Sequence, residues 1–310
     1  MGAILAVNSF GLMETAGDRS LEMKAVVMDQ HGGEIKPDSS DLIGLYLLFK
    51  FPLWDGQIYL RSDSSHEILH NHIARGKPAE SGQEILRRRY RLSTAATPFN
   101  GKRILDFGCG NGAQTAFFAD QNCDIYAVDI HQSDLDIFSE YLSSHDINNI
   151  HPVYYPGRHL PFEDGYFDMV ISYEVLEHVQ DEGLAMAEIN RVLKTGGEVI
   201  ISVPNKAWIF ETHGANLPFL SWNRVPFFSW LPRVLHSRWA KARIYSKRQI
   251  LRLMSKYDFK PHRVQYITAP MDMVRNRRLK HWLRKTIFRG DTTCLPFLAT
   301  AILVYGQKRS

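Results

Sequence analysis

Cysteine is scarce in this chain: three in 310 residues, Cys109, Cys123 and Cys294, odd in number and without metal-ligand spacing. That argues against a disulfide framework or a cysteine-held zinc and fits a reducing compartment. Long apolar runs are also missing. The apolar stretches near the start, Ala3 to Val7 and Leu45 to Phe49, fall far short of the roughly 20 residues of a spanning helix. The first residues, MGAILAVNSFGLMETAGDRS, have no positive region of the kind that opens a signal peptide. The expectation is a cytoplasmic protein, at most peripheral to the inner face of a membrane. A third scarcity is local. Residues 233–290 hold 17 Lys and Arg against two acids, Asp258 and Asp272, although the whole chain carries a net charge of only +4. A block this basic is either a solvated face or a surface for an anionic partner such as a phosphorylated substrate, lipid headgroups or RNA.

What is present is an apolar fraction of 45%, enough for one large domain or for a core with an appended lobe. Residues 1–100 give weak signals, with a helix expected over 83–92, within which LRRRYRLS starts, and then a loop, STAATPFNG. From 102 onward the pattern is regular. Strands are expected at 102–107, 124–128, 151–155, 168–172 and 198–203. Helices are expected at 113–121, from a cap at Ser133, and over 181–194 with Gly196-Gly197 as its stop. In the second helix Leu135, Phe138, Tyr141 and Leu142 share a face. Apolar strands alternating with amphipathic helices imply an α/β doubly wound, mostly parallel sheet covered on both faces. After Pro204 the alternation ends. The near-copies LPFLSW (217–222) and VPFFSW (225–230) lead into the basic block, a helix is expected over 246–257 from Ser246, and late strands at 263–268 and 298–305 can close the sheet as an antiparallel pair. The division expected is an N-terminal extension over 1–100 and one domain over 101–310, with 205–260 as a substrate-covering insertion after the fifth strand.

Ligands of such sheets bind beyond the carboxyl ends of the strands. There lies ILDFGCGNGAQT, residues 104–115, with Gly108, Gly110 and Gly112 behind Asp106. With Ala113 the spacing also fits a dinucleotide turn, so the glycines alone decide little. Two carboxylates decide more. A pyrophosphate turn should avoid a negative charge at Asp106, because the free amides there are meant for an anion. Asp129 follows 23 positions later, where an acid accepts ribose hydroxyls. A ligand with a ribose, a positive group and no phosphates is implied, and S-adenosylmethionine meets that description.

In these motifs the chain resembles the class I S-adenosylmethionine-dependent methyltransferases, of the small-molecule group that includes the ubiquinone-biosynthesis O-methyltransferases. The ordered segments are ILDFGCGNG, YAVDI (126–130), LPFEDGYFDMVISYEVLEHV (160–179) and EINRVLKTGGEVIISVPN (188–205). The resemblance implies a Rossmann-like methyltransferase fold with an antiparallel edge strand. By the same resemblance Asp106, Gly108, Cys109, Gly110, Asn111 and Gly112 hold the methionine moiety and Asp129 the ribose. Ile130 lies against the adenine, and Ser172, Tyr173 and Glu174 wall the methionine end. One position departs. Where the family often has an acid for the adenine amino group this chain has Pro156, so main-chain atoms, Gly157 or Arg158 take that part.

For the chemistry, His178 in Glu174-Val-Leu-Glu177-His178 is a candidate base, against the alternative that a Glu-His pair merely shapes the turn. His213 is a second candidate, as base or substrate contact. Some relatives bind a divalent cation through an ExxEH motif, which would use Glu174, Glu177 and His178 with His213 as a further ligand. No metal is expected as the primary reading. The aromatic stretch Phe219, Trp222, Phe227, Phe228 and Trp230 reads as packing, as a lid, or with Arg233, Arg238, Lys241 and Arg243 as a peripheral membrane contact over 217–243. The function expected is methylation, on oxygen, of a small or lipid-linked and anionic acceptor, with no DNA partner. An RNA methyltransferase using 233–290, a non-catalytic cofactor-binding protein and a nicotinamide dehydrogenase are the alternatives.

Overall fold

The computed structural model describes residues 27–28, 34–35, 83–210, 213, 226–272, 274 and 276–309. The chain divides into two compact units, 1–67 and 68–310. Of the first, the described part is an antiparallel pair, β1 (Val27–Met28) and β2 (Glu34–Ile35).

The second unit is built on an eight-stranded sheet. Its strands are β3 (Arg103–Phe107), β4 (Asp124–Asp129), β5 (Ile150–Tyr154), β6 (Phe167–Tyr173), β7 (Leu193–Pro204), β8 (Phe259–Thr268), β9 (Thr292–Thr293) and β10 (Ala299–Lys308), in the spatial order β5-β4-β3-β6-β7-β10-β8-β9. The first five pair in parallel, with Ile104 opposite Ile125 on one side of β3 and opposite Met169 on the other. Strand order reverses at β3, so the crevice between β3 and β6 is the switch point where doubly wound sheets bind ligands. The two late strands pair antiparallel as expected. In the sheet β10 lies between β7 and β8, and the antiparallel edge is the two-residue β9.

Alternation along the strands explains the two cores. Leu105, Val170, Val199, Ile201, Ile302 and Val304 face the helices α3 (Glu182–Val192) and α5 (Lys247–Lys256). Ile104, Met169, Ile171, Ile200, Leu303 and Tyr305 face α1 (Glu84–Ala96), α2 (Gln132–Ser144) and the short 3-10 turn Thr115–Phe118. Two further helices stand among the described residues, α4 (Arg233–Trp239) and α6 (Arg277–Lys285). Helix α5 buries Ile250 and Met254 in the first core, so it belongs to the sheet's helical layer rather than to a covering insertion. Likewise α1, assigned above to the extension, lies in the same unit as the sheet.

Local departures from the expected elements have identifiable causes. Helix α1 continues through Ser93 and Thr94 because their hydroxyls find partners inside the fold, Tyr173 Oη at 2.8 Å and the Tyr90 carbonyl at 2.9 Å. The helix expected at 113–121 is a tight turn closed by i to i−3 bonds, such as Phe117 to Gln114 at 3.2 Å. His131, not Ser133, precedes α2, and Tyr141 is exposed and stacked on His145 rather than buried. Helix α3 stops at Val192 without a glycine cap. Lys308 Nζ satisfies the end carbonyls of Asn190 and Leu193 at 2.7 and 2.8 Å, and Gly196, at φ +75°, sits in the bulged start of β7. Ser246 does cap α5, in a reciprocal capping box with Gln249.

Candidate functional site

The glycine turn leaves β3 at the switch point and has no room to spare. Gly108 and Gly112 hold φ values of +83° and +76°. A Cβ on Gly108 would meet Val175 at 2.4 Å, and one on Gly112 the Phe138 ring at 2.1 Å. Only glycine satisfies both demands. The amides of Gly108 and Cys109 are taken by the Val128 carbonyl at 2.9 and 3.0 Å, which pins the turn to β4. Asn111 Oδ1 accepts from Ala113 at 3.3 Å and closes the turn's far side.

Both acids named from the sequence face this turn, in different states. Asp129, at the end of β4, accepts from the Gly110 amide at 2.8 Å, the His131 amide at 3.0 Å and the His131 ring at 3.1 Å. Burial opposes its ionisation, yet these hydrogen bonds hold its carboxyl below the usual carboxylate range. Asp106 does not sit open at the lip of the turn. It is buried, accepts a hydrogen bond from the Thr115 hydroxyl at 2.6 Å, and burial pushes its pKa up to about 7. Ile130 is half exposed beside Gly157, on the same rim as the exposed Pro156 and Arg158, which leaves an apolar platform at the β4 end.

The Glu174–His178 segment is a turn and not a helix. Glu174 takes a left-handed φ of +58°, and the turn closes through the His178 amide on the Val175 carbonyl at 2.8 Å. Val175 is the residue packed against Gly108, so this turn and the glycine turn are in contact. Glu174 faces Arg89 Nη2 at 3.1 Å and accepts from Ser202 at 2.9 Å. The Ser172 hydroxyl is buried without a hydrogen-bond partner among the described residues, and Tyr173 reaches Ser93. Glu177 is fully buried, and neither of its oxygens is hydrogen-bonded among the described residues. Burial, then the charge of Glu174, raise its pKa well above the usual carboxylate range.

The Glu177 carboxyl faces two imidazoles. His213 Nε2 lies 3.4 Å and His178 Nε2 3.9 Å from Glu177 Oε1, with the rings edge-to-face at 4.8 Å. The three donor atoms lie within 4.8 Å of one another, a set of one carboxylate and two imidazoles that suits a divalent cation. Glu174 of the ExxEH set is engaged by Arg89 instead, and His213 takes its place. A second such group, Asp129, His131 and Asp134, lies at the β4 end.

Sequence reasoning missed the contribution of α1. Arg89 is nearly buried and reaches Glu174, while Arg88 donates to the Thr268 carbonyl at 2.7 Å. Three consecutive arginines within an amphipathic pattern were the available signal, since such a helix cannot keep all three in water. The grip of the covering segment was also missed. Arg243 donates to the Leu176, Val179 and Gln180 carbonyls, and Tyr245 Oη to Leu176 at 3.2 Å and Glu182 at 2.8 Å, so the chain after β7 clasps the turn that carries Glu177 and His178. Of the aromatic stretch, Phe228 is buried on His236, and Phe227 and Trp230 are exposed. Phe219, Trp222, the whole of 217–222 and the Arg233 side chain lie outside the described residues.

Comparison with known proteins agrees with this geometry. Residues 105–201 match the family described as methyltransferase domain. The ubiquinone biosynthesis O-methyltransferase of Acinetobacter baumannii (strain ACICU) is 30% identical over 119 residues, 37% of this chain and 50% of that protein. The ubiquinone/menaquinone biosynthesis C-methyltransferase UbiE of Vibrio parahaemolyticus is 38% identical over 106 residues, 33% of this chain and 40% of that protein. The chain thus spans half or less of the length of these curated relatives. Among solved structures, an S-adenosylmethionine dependent methyltransferase from Mesorhizobium loti aligns with a TM-score of 0.51 at 16% identity, over 71% of this chain and 98% of that one. The 4+2 cyclase SpnF aligns with a TM-score of 0.51 at 17% identity, over 78% and 87%. At such identities the likeness carries the fold alone, and the cyclase's name shows that one fold hosts more than one reaction.

Proposed function

We propose, from the match of residues 105–201 to a methyltransferase domain family, that this chain is a class I S-adenosylmethionine-dependent methyltransferase that methylates an oxygen of a small or lipid-linked acceptor. The observation that carries the reading is the contact between two turns. Val175 seats the Glu177–His178 turn on Gly108, so the proton-accepting groups stand beside the cofactor cradle. S-adenosylmethionine supplies the sulfonium methyl and departs as S-adenosylhomocysteine.

The residues divide the work by position. Gly108 and Gly112 give the close approach that side chains would deny, and ionised Asp129 offers acceptors for a ribose diol. Asp106, buried behind the turn, and Glu174 would favour a positively charged ligand group at the β3 and β6 ends, with Arg89 balancing Glu174 and offering a partner to a carboxylate. His178 or His213 takes the hydroxyl proton as the acceptor oxygen bonds to the methyl carbon, and the carbon–sulfur pair leaves with sulfur. Alignment of the acceptor by the chain after β7 supplies much of the rate in an in-line displacement. Both relatives are named for quinone biosynthesis, one for O- and one for C-methylation, so phenolic quinone precursors head the acceptors to test. The exposed Phe227, Trp230, Val234 and Leu235 support peripheral membrane contact by the described part of 217–243. No helix among the described residues is long and apolar enough to cross a membrane.

A second reading is favoured by the orphaned Glu177 carboxyl between two imidazoles. Glu177, His178 and His213 would hold a divalent cation, which supplies Lewis acidity toward an acceptor hydroxyl. One experiment separates the readings: tritiated methyl transfer to quinone precursors, sugars and lipid extracts, with and without chelator. Transfer that survives chelation supports the imidazole base. Transfer lost to chelator and restored by one divalent ion supports the cation. Silence with every acceptor class refutes the metabolite reading.

A further inference from the structure

Helix α6 is built as a fixed element and yet buries none of its residues. Asn276 caps it, accepting from the Arg278 and Leu279 amides at 3.0 and 3.1 Å. Arg284 anchors it, donating to the Pro270 carbonyl at 2.6 Å and to Asp272 at 2.7 Å. Its inner contact is Leu283, which with Phe288 packs on the Trp208, Ala269 and Met271 cluster next to Phe210. The next apolar residues around the helix have no such cover. Leu279 is 47% and Trp282 54% exposed, and Ile287, just past the helix, is 49% exposed.

Charge surrounds this apolar edge on one side only. No acid occurs between residues 273 and 290. The flanking acids are already occupied, Asp272 by Arg284 and Asp291 by Arg91 at 2.7 Å. Arg277, Arg278, Lys280 and Lys285 form no ion pair among the described residues. At 100° per residue, Arg278 and Lys285 fall directly beside Trp282 on the side away from Leu283. Cations bordering an exposed tryptophan and aliphatic side chains are what a helix lying in a headgroup layer requires. A nucleic-acid groove would use the cations but gain nothing from Leu279 and Ile287.

We propose that α6 is an interfacial helix that docks this protein on an anionic bilayer. Trp282 and Leu279 enter the headgroup boundary, and Arg278 and Lys285 meet lipid phosphates. The surface is separate in sequence from 217–243, and its binding does not depend on which acceptor is methylated.

The test is co-sedimentation of the full chain with extruded vesicles of phosphatidylcholine alone and of phosphatidylcholine with one-third phosphatidylglycerol. Binding to the anionic vesicles is expected to exceed that to neutral ones by about tenfold or more and to weaken with salt. Leu279→Ser with Trp282→Ser, and separately Arg278→Glu with Lys285→Glu, should each lower it about tenfold, with circular dichroism and Tm unchanged because these side chains are exposed. Equal binding to both vesicles, no binding at low salt, or binding untouched by both variant pairs overturns the proposal. So does a single-stranded RNA shift, or a dimer seen by light scattering, that the variants abolish while vesicles stay unbound.

Discussion

Arg89 Nη2 lies 3.1 Å from Glu174 Oε1, joining a helix that precedes the sheet to the strained residue that follows β6. Both side chains are largely shielded from water. Removing either partner leaves a charge with poor solvation, which costs more than the pair contributes. Arg89→Met is therefore expected to lower stability by about 1.5–3 kcal/mol and to weaken S-adenosylhomocysteine binding. Arg89→Met with Glu174→Gln should recover part of the stability but not the affinity. Urea unfolding and calorimetry on the four proteins of the cycle measure both. Additive losses would show that the two groups act independently.

Glu177 is expected to cost stability at neutral pH. Its folded pKa is raised from 4.5, so above that value the unfolded chain releases a proton that the folded chain keeps. Stability therefore falls as pH rises from about 4.5 toward the raised pKa. Glu177→Gln removes the ionisation and keeps the size and shape of the side chain. It should stabilise the protein by about 1–3 kcal/mol near pH 7 and flatten the pH dependence of Tm, while methyl transfer drops. A variant no more stable than the parent would mean that this carboxyl is satisfied in solution.

These two residues mark what was legible. The parallel strands, the switch point and the glycine turn could be read because apolar runs, glycine positions and acid spacing are local signals. Glu177 and His178 could be named for the same reason. Their partner His213 was named too, but the contact with Glu177 depends on how the chain after β7 folds back, which no local pattern encodes. Arg89 stayed hidden because an arginine-rich helix reads as solvated unless its packing is known. For the 174–178 segment a catalytic base and a turn-shaping pair both stayed open, because no local pattern encodes the left-handed φ at Glu174. The order β7-β10-β8 was illegible for a similar reason, since two late strands can pair without revealing which one meets β7.

Asp106 links cofactor binding to pH. Its pKa stands at about 7 against 3.8 in the unfolded chain, through burial first, with the Thr115 hydrogen bond opposing and Asp129 adding. Its contribution to stability of the free protein thus declines between those values and levels off above about 7. A cationic ligand beside it favours the ionised form. Binding of S-adenosylhomocysteine should then expel a proton below pH 7 and tighten as pH rises toward 7. Calorimetry at about pH 6 in two buffers of different ionisation heat counts that proton. Asp106→Asn should abolish the release and weaken binding about tenfold, or about 1.4 kcal/mol. A heat independent of buffer would disconnect Asp106 from the ligand.

Two glycines with nearly equal backbones separate strain from collision. Gly101 has φ +71° with nothing within 4 Å of an added Cβ, whereas Gly112 has φ +76° with Phe138 Cδ2 at 2.1 Å. Gly101→Ala should cost only the left-handed conformation, about 1 kcal/mol. Gly112→Ala carries that cost and must also move a fully buried ring of α2, so a total of about 3–4 kcal/mol is expected. Adding Phe138→Leu to Gly112→Ala frees space and should return part of the difference, despite the methylenes it removes from the core. Thermal unfolding of the four proteins measures this. If Gly112→Ala costs no more than Gly101→Ala, the turn has room that these distances deny, and the tight cradle can no longer explain why glycine stands there.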